Sequence, residues 1–196
     1  MEWFIPLAGF ILISTITPGP NNLLLAASGI NFGVRRTLPH VVGIHLGVYS
    51  LVVLCGLGLG QVLLALPDVL IGLKVFASVY LLYLAWQIIG FRFREDATQA
   101  EPMRILQAGL FQVSNPKAWM MATTGLNFSL AIADDMSIAV IALCLGFATL
   151  GTLCNLSWVW LGASLQTAMR QPHLQRLING VLAAITLATV VMFWMI

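Results

Sequence analysis

The chain has 196 residues, of which 60% are hydrophobic and 8% charged, with a mean hydropathy of +0.96 and a formal net charge of +2. Soluble globular domains carry about 25% charged residues, so that class is excluded, and so modest a positive charge speaks for membrane orientation rather than nucleic-acid binding. The few charges are bunched between long uncharged runs, the pattern of membrane spans joined by loops.

A helix needs about 20 apolar residues to cross about 30 Å of hydrocarbon, and six runs meet that length: 3–32, 38–66, 70–91, 105–133, 136–167 and 174–196. Barrel strands would be about ten residues long with alternating polarity. The fold class expected is therefore an all-α integral membrane protein of six spans. The opening Met1-Glu2-Trp3 lacks the basic start of a cleaved signal, so the first span is expected to be retained. Its long interrupted run leaves a re-entrant hairpin, or a five-span chain with an inward amino end, as the alternative.

Span one contains Thr17-Pro18-Gly19-Pro20-Asn21-Asn22. Proline removes a backbone donor and clashes with the carbonyl one turn back, and glycine between two prolines adds freedom, so a break is expected here. Broken backbone at membrane depth is tolerated only against protein or a water-filled cavity. A half-helix starting near Asn21 or Asn22 offers free amides and a positive dipole end to a carboxylate. The plainer alternative is a kink between packed helices.

Span two carries His45 between Gly43 and Gly47, a small-residue pair that by itself explains close packing. The imidazole either relays protons or simply bonds a neighbouring carbonyl. In span three, Lys74 near Asp68 reads as snorkelling or paired, Tyr80, Tyr83 and Gln87 share one helical face, and Trp86 with Phe91 suits an interfacial belt.

A linker over 92–104 holds Arg92, Arg94, Glu95, Asp96, Gln99, Glu101 and Arg104, and divides the chain into a first repeat over 1–91 and a second over 105–196. Span four, the first of the second half, reads Ser114-Asn115-Pro116-Lys117, and Pro116 lies 98 residues after Pro18, half the chain length. The interruptions thus occupy matching places. Three spans per half force the second half into the membrane from the opposite side, giving the inverted repeat of many secondary transporters, in which paired Pro/Gly breaks point to the binding site. An ammonium at the depth of Lys117 costs about 2.5–3.5 kcal/mol on insertion scales, so it is expected to hold a substrate carboxylate or to exchange a proton.

In span five, Asn155 with Thr152 and Ser157 can bond either a helix or a substrate. Cys55, Cys144 and Cys154 fall inside spans with no disulfide or metal spacing and read as apolar packers. Neither a metal nor a cofactor is expected. Asp and Glu residues fall only at span ends or in the linker, leaving His45 and Lys117 as mid-membrane coupling candidates. Seven of the nine basic residues (Arg35, Arg36, Arg92, Arg94, Arg104, Arg170 and Arg176) lie at one set of loops, which the positive-inside rule makes cytoplasmic. Both termini then face outward.

These motifs resemble the LysE/RhtB family of amino-acid exporters over essentially the whole chain. The resemblance is carried by Thr17-Pro18-Gly19-Pro20-Asn21, by Asn115-Pro116-Lys117-Ala118 and, in support, by Tyr80-Leu81-Leu82-Tyr83-Leu84-Ala85-Trp86. One departure is Ser78-Val79, where the family more often has Gly-Ala. The resemblance implies a multi-pass exporter in a bacterial inner membrane, moving a small amino acid or derivative, with neutral members closest because no intramembrane carboxylate faces a cationic side chain. The substrate-binding residues expected are Thr17, Pro18, Gly19, Pro20, Asn21, Asn22, Tyr80, Asn115, Pro116, Lys117 and Asn155. Export by alternating access, coupled to protons through His45 or Lys117, is the functional expectation, in a homodimer because six short spans enclose little volume. The competing functions are export of another small solute, a membrane-embedded enzyme, for which no nucleophile elbow or His-Glu metal pair exists, and a scaffold subunit.

Overall fold

The computed structural model describes residues 4–59, 66–90 and 101–195. Arg92, Arg94 and most of the acidic linker, with the amino-terminal residues 1–3, Phe91 and the Gln87 side chain, lie outside the described residues. The described part is helical: α1 (Phe4–Ile16), α2 (Pro20–Gly56), α3 (Pro67–Gly90), α4 (Ile105–Val113), α5 (Pro116–Leu130), α6 (Met136–Gly146), α7 (Thr152–Leu165) and α8 (Pro172–Met195). No strand occurs among the described residues. Among the described residues, the helical runs Pro20–Gly56, which contains a break at Gly33, Met136–Leu165 and Pro172–Val191 are long and apolar enough to cross a membrane by length and composition.

Both expected interruptions are present. Helix stops at Ile16 and resumes at Pro20, then stops at Val113 and resumes at Pro116, each restart placing proline where its missing N–H costs nothing. The last carbonyls before each gap would be orphans, and an indole satisfies one at each: Trp158 Nε1 donates to Ile16 O at 3.1 Å, and Trp119 Nε1 to Val113 O at 2.8 Å.

The expected loop at Arg35-Arg36 is not a loop. Helix resumes directly after Gly33, whose φ of +72° and ψ of 177° reverse the chain within one residue. That φ is a left-handed value that glycine adopts without a Cβ penalty. The reversal is fixed by Ser28 Oγ and Thr37 Oγ1, 2.9 Å apart, although nine residues along a straight helix would separate them by about 13 Å. The second arm therefore starts at residue 34 instead of 38, with both arginines in its first turn.

Small residues let the arms meet their neighbours backbone to backbone. A Cβ at Gly29 would strike the Val159 carbonyl, and one at Gly162 the Ala26 carbonyl, so arm 20–32 lies directly on α7. Gly43 against Ile105 and Gly47 against Gly109 do the same for arm 34–56 and α4. Around these crossings Ile11, Leu25, Leu51, Val52, Leu143 and Val159 are fully buried. The outward side chains, among them Leu46, Ile71, Phe76, Ile141, Trp160 and Val191, are also apolar. Apolar side chains inside and out are consistent with an all-α membrane protein. Helices α3 and α8 pair along one flank, where Trp194 Nε1 donates to Ser78 Oγ at 3.0 Å. Ser78, where the related motif more often has glycine, is thus a bonded packing residue.

Candidate functional site

The two breaks face each other across one cavity. Its lining includes Asn21 and Asn22 from the start of α2, His45 from its returning arm, Asn115 and Lys117 from the second break, and Asn155 from α7. Ser14 and Thr15 at the end of α1 complete the polar wall, while Ile44, Val48, Met121 and Phe147 supply the apolar one. The space between these walls, open mouth included, is about 450 Å³.

Lys117 joins the halves. Its Nζ donates to Thr17 O at 2.5 Å and lies 3.5 Å from Pro18 O, so the ammonium of one break sits on the frayed carbonyl end of the helix before the other. That end carries the negative pole of the α1 dipole. Gly19 makes room for the lysine stem, since a Cβ there would lie 2.9 Å from Lys117 Cδ. An ammonium has three donors, and these contacts leave capacity for a further acceptor in the cavity.

The two helix starts differ in what they leave open. At α5 the Asn115 side chain caps the helix, accepting from Lys117 N at 3.1 Å. At α2 the capping position is Gly19, which has no side chain to offer, and the first bond of the helix is Leu23 N to Gly19 O at 3.1 Å. The amides of Asn21 and Asn22 thus precede the hydrogen-bond ladder, beside an ammonium, as an anion site at a helix start requires.

Side-chain amides lock the breaks in register. Asn21 Nδ2 donates to Gln112 Oε1 at 2.8 Å, and Gln112 Nε2 returns a bond to Asn21 Oδ1 at 3.1 Å and another to Ala108 O at 2.9 Å. Asn115 Nδ2 reaches the same Oε1 at 3.4 Å, and Asn22 Nδ2 holds Thr15 O at 2.8 Å. Gln112 is fully buried, and sequence reasoning does not single it out. Its position within the span-four polar run is the one signal that could have.

His45 bridges its own helix to α6 and α7. Its Nδ1 lies 2.8 Å from Val41 O, and its Nε2 lies 3.1 Å from Phe147 O and 2.9 Å from Thr152 Oγ1. Thr152 Oγ1 donates to Ala148 O at 2.7 Å, so it meets the imidazole as an acceptor. Phe147 begins a five-residue π-turn, Phe147–Gly151, that joins α6 to α7. Such turns concentrate at functional positions, and nothing in the composition of this segment announces it.

Thr15 Oγ1, facing the cavity, is buried and has no partner among the described residues, and no hydrogen bond of the Asn155 amide occurs among them. Pro20 and Pro116 are buried helix starts and Pro18 offers its carbonyl, so these prolines shape the site. Tyr80 does not line this cavity: its ring packs 5.1 Å from that of Phe111, with Tyr83 and Trp86 stacked successively outward from it. The three cysteines are free thiols, and among the described residues no cluster of three or more His, Cys, Asp or Glu side chains could hold a metal. Lys74 makes no ion pair with Asp68 within 4 Å.

The family described as LysE type translocator matches residues 12–195. Among curated proteins, the chain is 28% identical over 163 residues to the cysteine/O-acetylserine efflux protein of Escherichia coli O139:H28, covering 83% of each chain. The proteins of the same name from Escherichia coli K12 and Shigella sonnei match to the same extent. No solved structure matches significantly.

Proposed function

The chain belongs to the LysE type translocator family and is an efflux transporter of amino acids or their derivatives rather than an enzyme, and from that premise we propose that it exports a small neutral amino acid, of the cysteine or O-acetylserine kind, by alternating access around the broken-helix cavity. The observation that carries this reading is the Lys117 ammonium resting on Thr17 O beside the uncapped start of α2. A zwitterion fits that arrangement with its carboxylate on Lys117 and the amides of Asn21 and Asn22. Its ammonium then finds the oxygens of Thr15 and Asn155.

The two units that rock are the halves 1–91 and 105–196, read as inverted three-span repeats in an inner membrane with both termini outside. The reading is supported by breaks of like construction, whose restart prolines Pro20 and Pro116 lie 116 − 20 = 96 residues apart, each with an indole on the preceding carbonyls. Depth agrees as well. Asn21 and His45 each lie twelve residues from Gly33, about 18 Å of helix from the tip that carries Arg35 and Arg36, which is near the middle of a bilayer whose basic loops are cytoplasmic. His45 is the proton-coupling residue in this scheme, because a proton on either ring nitrogen finds an acceptor waiting.

The test is efflux of radiolabelled L-cysteine, L-serine, L-threonine and L-leucine from preloaded cells with and without the protein. Accelerated loss of one or two of these is expected. Equal leakage of all four in both cell types would overturn the reading.

A further inference from the structure

A second cleft opens beside the hairpin tip, apart from the central cavity. Its apolar wall includes Leu24 and Met103, and its polar wall Asn31, Gln107, Glu101 and His40. With its mouth included it holds about 900 Å³. His40 is 1% exposed, yet neither ring nitrogen has a hydrogen-bond partner among the described residues. Buried polar groups are almost always bonded, and each exception calls for an explanation such as a missing ligand or water. A neutral imidazole offers one donor and one acceptor, and both are unspent here.

One carboxylate and two guanidiniums stand at the rim. Glu101 accepts from Arg104 Nη2 at 2.8 Å, and Arg36, which lies over the Phe32 ring, adds its field. The hydrogen bond from Arg104, then its charge, holds the Glu101 carboxyl below the usual carboxylate range, so it is ionised at neutral pH. A carboxylate beside guanidiniums, above an uncharged donor–acceptor pair and an apolar wall, offers partners to both ends of a small zwitterion.

The cleft also lies on the way in. Leu24 and Asn31 continue the helix whose first turn, Asn21 and Asn22, lines the central cavity, one to three turns further along, about 5–15 Å. On the returning arm, His40 lies five residues before His45. Both arms thus run from this cleft to the central site.

We propose that the cleft around His40 is a loading site for the transported class of small zwitterionic amino acid, occupied on the cytoplasmic approach before transfer to the Lys117 cavity. The inference rests on the exporter reading above. In it, the amino acid's ammonium meets Glu101, its carboxylate Arg36, and its remaining polar atoms His40.

Equilibrium binding of radiolabelled L-cysteine, L-serine, L-threonine and L-leucine to the full chain in lipid nanodiscs tests it. The unaltered protein should bind two molecules per chain of its preferred amino acid, Lys117→Met should retain one, and adding His40→Phe should abolish that one. Glu101→Gln, at an exposed position where folding is not at stake, should weaken the retained site roughly fivefold, as removal of one solvent-exposed charge contact implies. Loss of all binding in Lys117→Met, or residual binding indifferent to both Glu101→Gln and His40→Phe, would overturn the loading site and leave the central site standing. Absence of binding by the unaltered protein would overturn both.

Discussion

Replacing Lys117 by methionine separates transport from folding. The substitution keeps the stem that packs on Gly19 and removes the ammonium that donates to Thr17 O. Losing a charge-assisted hydrogen bond costs about 1.5–3 kcal/mol, whereas relieving the membrane interior of an ammonium returns about 2.5–3.5 kcal/mol. The two largely offset, so Lys117→Met should insert normally and lie between about 0.5 kcal/mol less stable and about 2 kcal/mol more stable than the unaltered protein. Export has no such compensation. Removing one partner of a buried charge pair costs about 2–5 kcal/mol, which is about thirtyfold to several thousandfold in kcat/KM for a carboxylate-bearing substrate. The assay is proteoliposome transport at matched protein density, paired with thermal unfolding in detergent. Undiminished flux in the variant would refute the carboxylate role, and a flux loss tracked by an equal loss of folded protein would make Lys117 a structural residue.

Gly162→Ala should lower the unfolding temperature, because its Cβ would meet the Ala26 carbonyl and the helices must part, at a cost of about 1–3 kcal/mol; an unchanged melting curve would contradict the close crossing of α2 and α7. A double-mutant cycle on Asn21→Ala and Gln112→Ala, read by the same melting assay, should give a coupling of about 1 kcal/mol for the reciprocal amide pair, and additivity would show the pair to be idle. His45→Gln, whose amide can hydrogen-bond but cannot take up a proton near neutral pH, should retain exchange of amino acid for amino acid but lose accumulation driven by a pH gradient. Gradient-driven accumulation at the ordinary level would remove His45 from the coupling scheme.

The breaks are legible in the sequence because proline and glycine act locally: the cluster Pro18, Gly19, Pro20 and the Asn115-Pro116 pair each end one helix and start another, whereas the single Pro39 is carried within a helix. Lys117 is legible for a different reason, the cost of charge in lipid. What escapes is relational. Gly33 is one of 17 glycines, with no proline beside it, and only the tertiary pairing of Ser28 with Thr37 makes it the point of reversal. Gln112 gains importance from Asn21, 91 residues away, and the π-turn at Phe147 from the imidazole that bonds its carbonyl. His40, adjacent to a proline in an unremarked stretch, draws notice only through its lack of partners among the described residues. Tyr80, drawn in by its motif and by its helical face with Tyr83, turns to Phe111 instead of the cavity.

The central claim is that the broken-helix cavity grips the carboxylate of an exported amino acid. The most direct test compares proteoliposome transport of radiolabelled L-cysteine with that of cysteamine, which lacks only the carboxylate, each measured above protein-free liposomes. Saturable transport of cysteine, with cysteamine at background and unable to compete, is the predicted result. Equal transport of the two would contradict the account, because a carrier indifferent to the carboxylate has no use for Lys117 at the meeting point of its two broken helices.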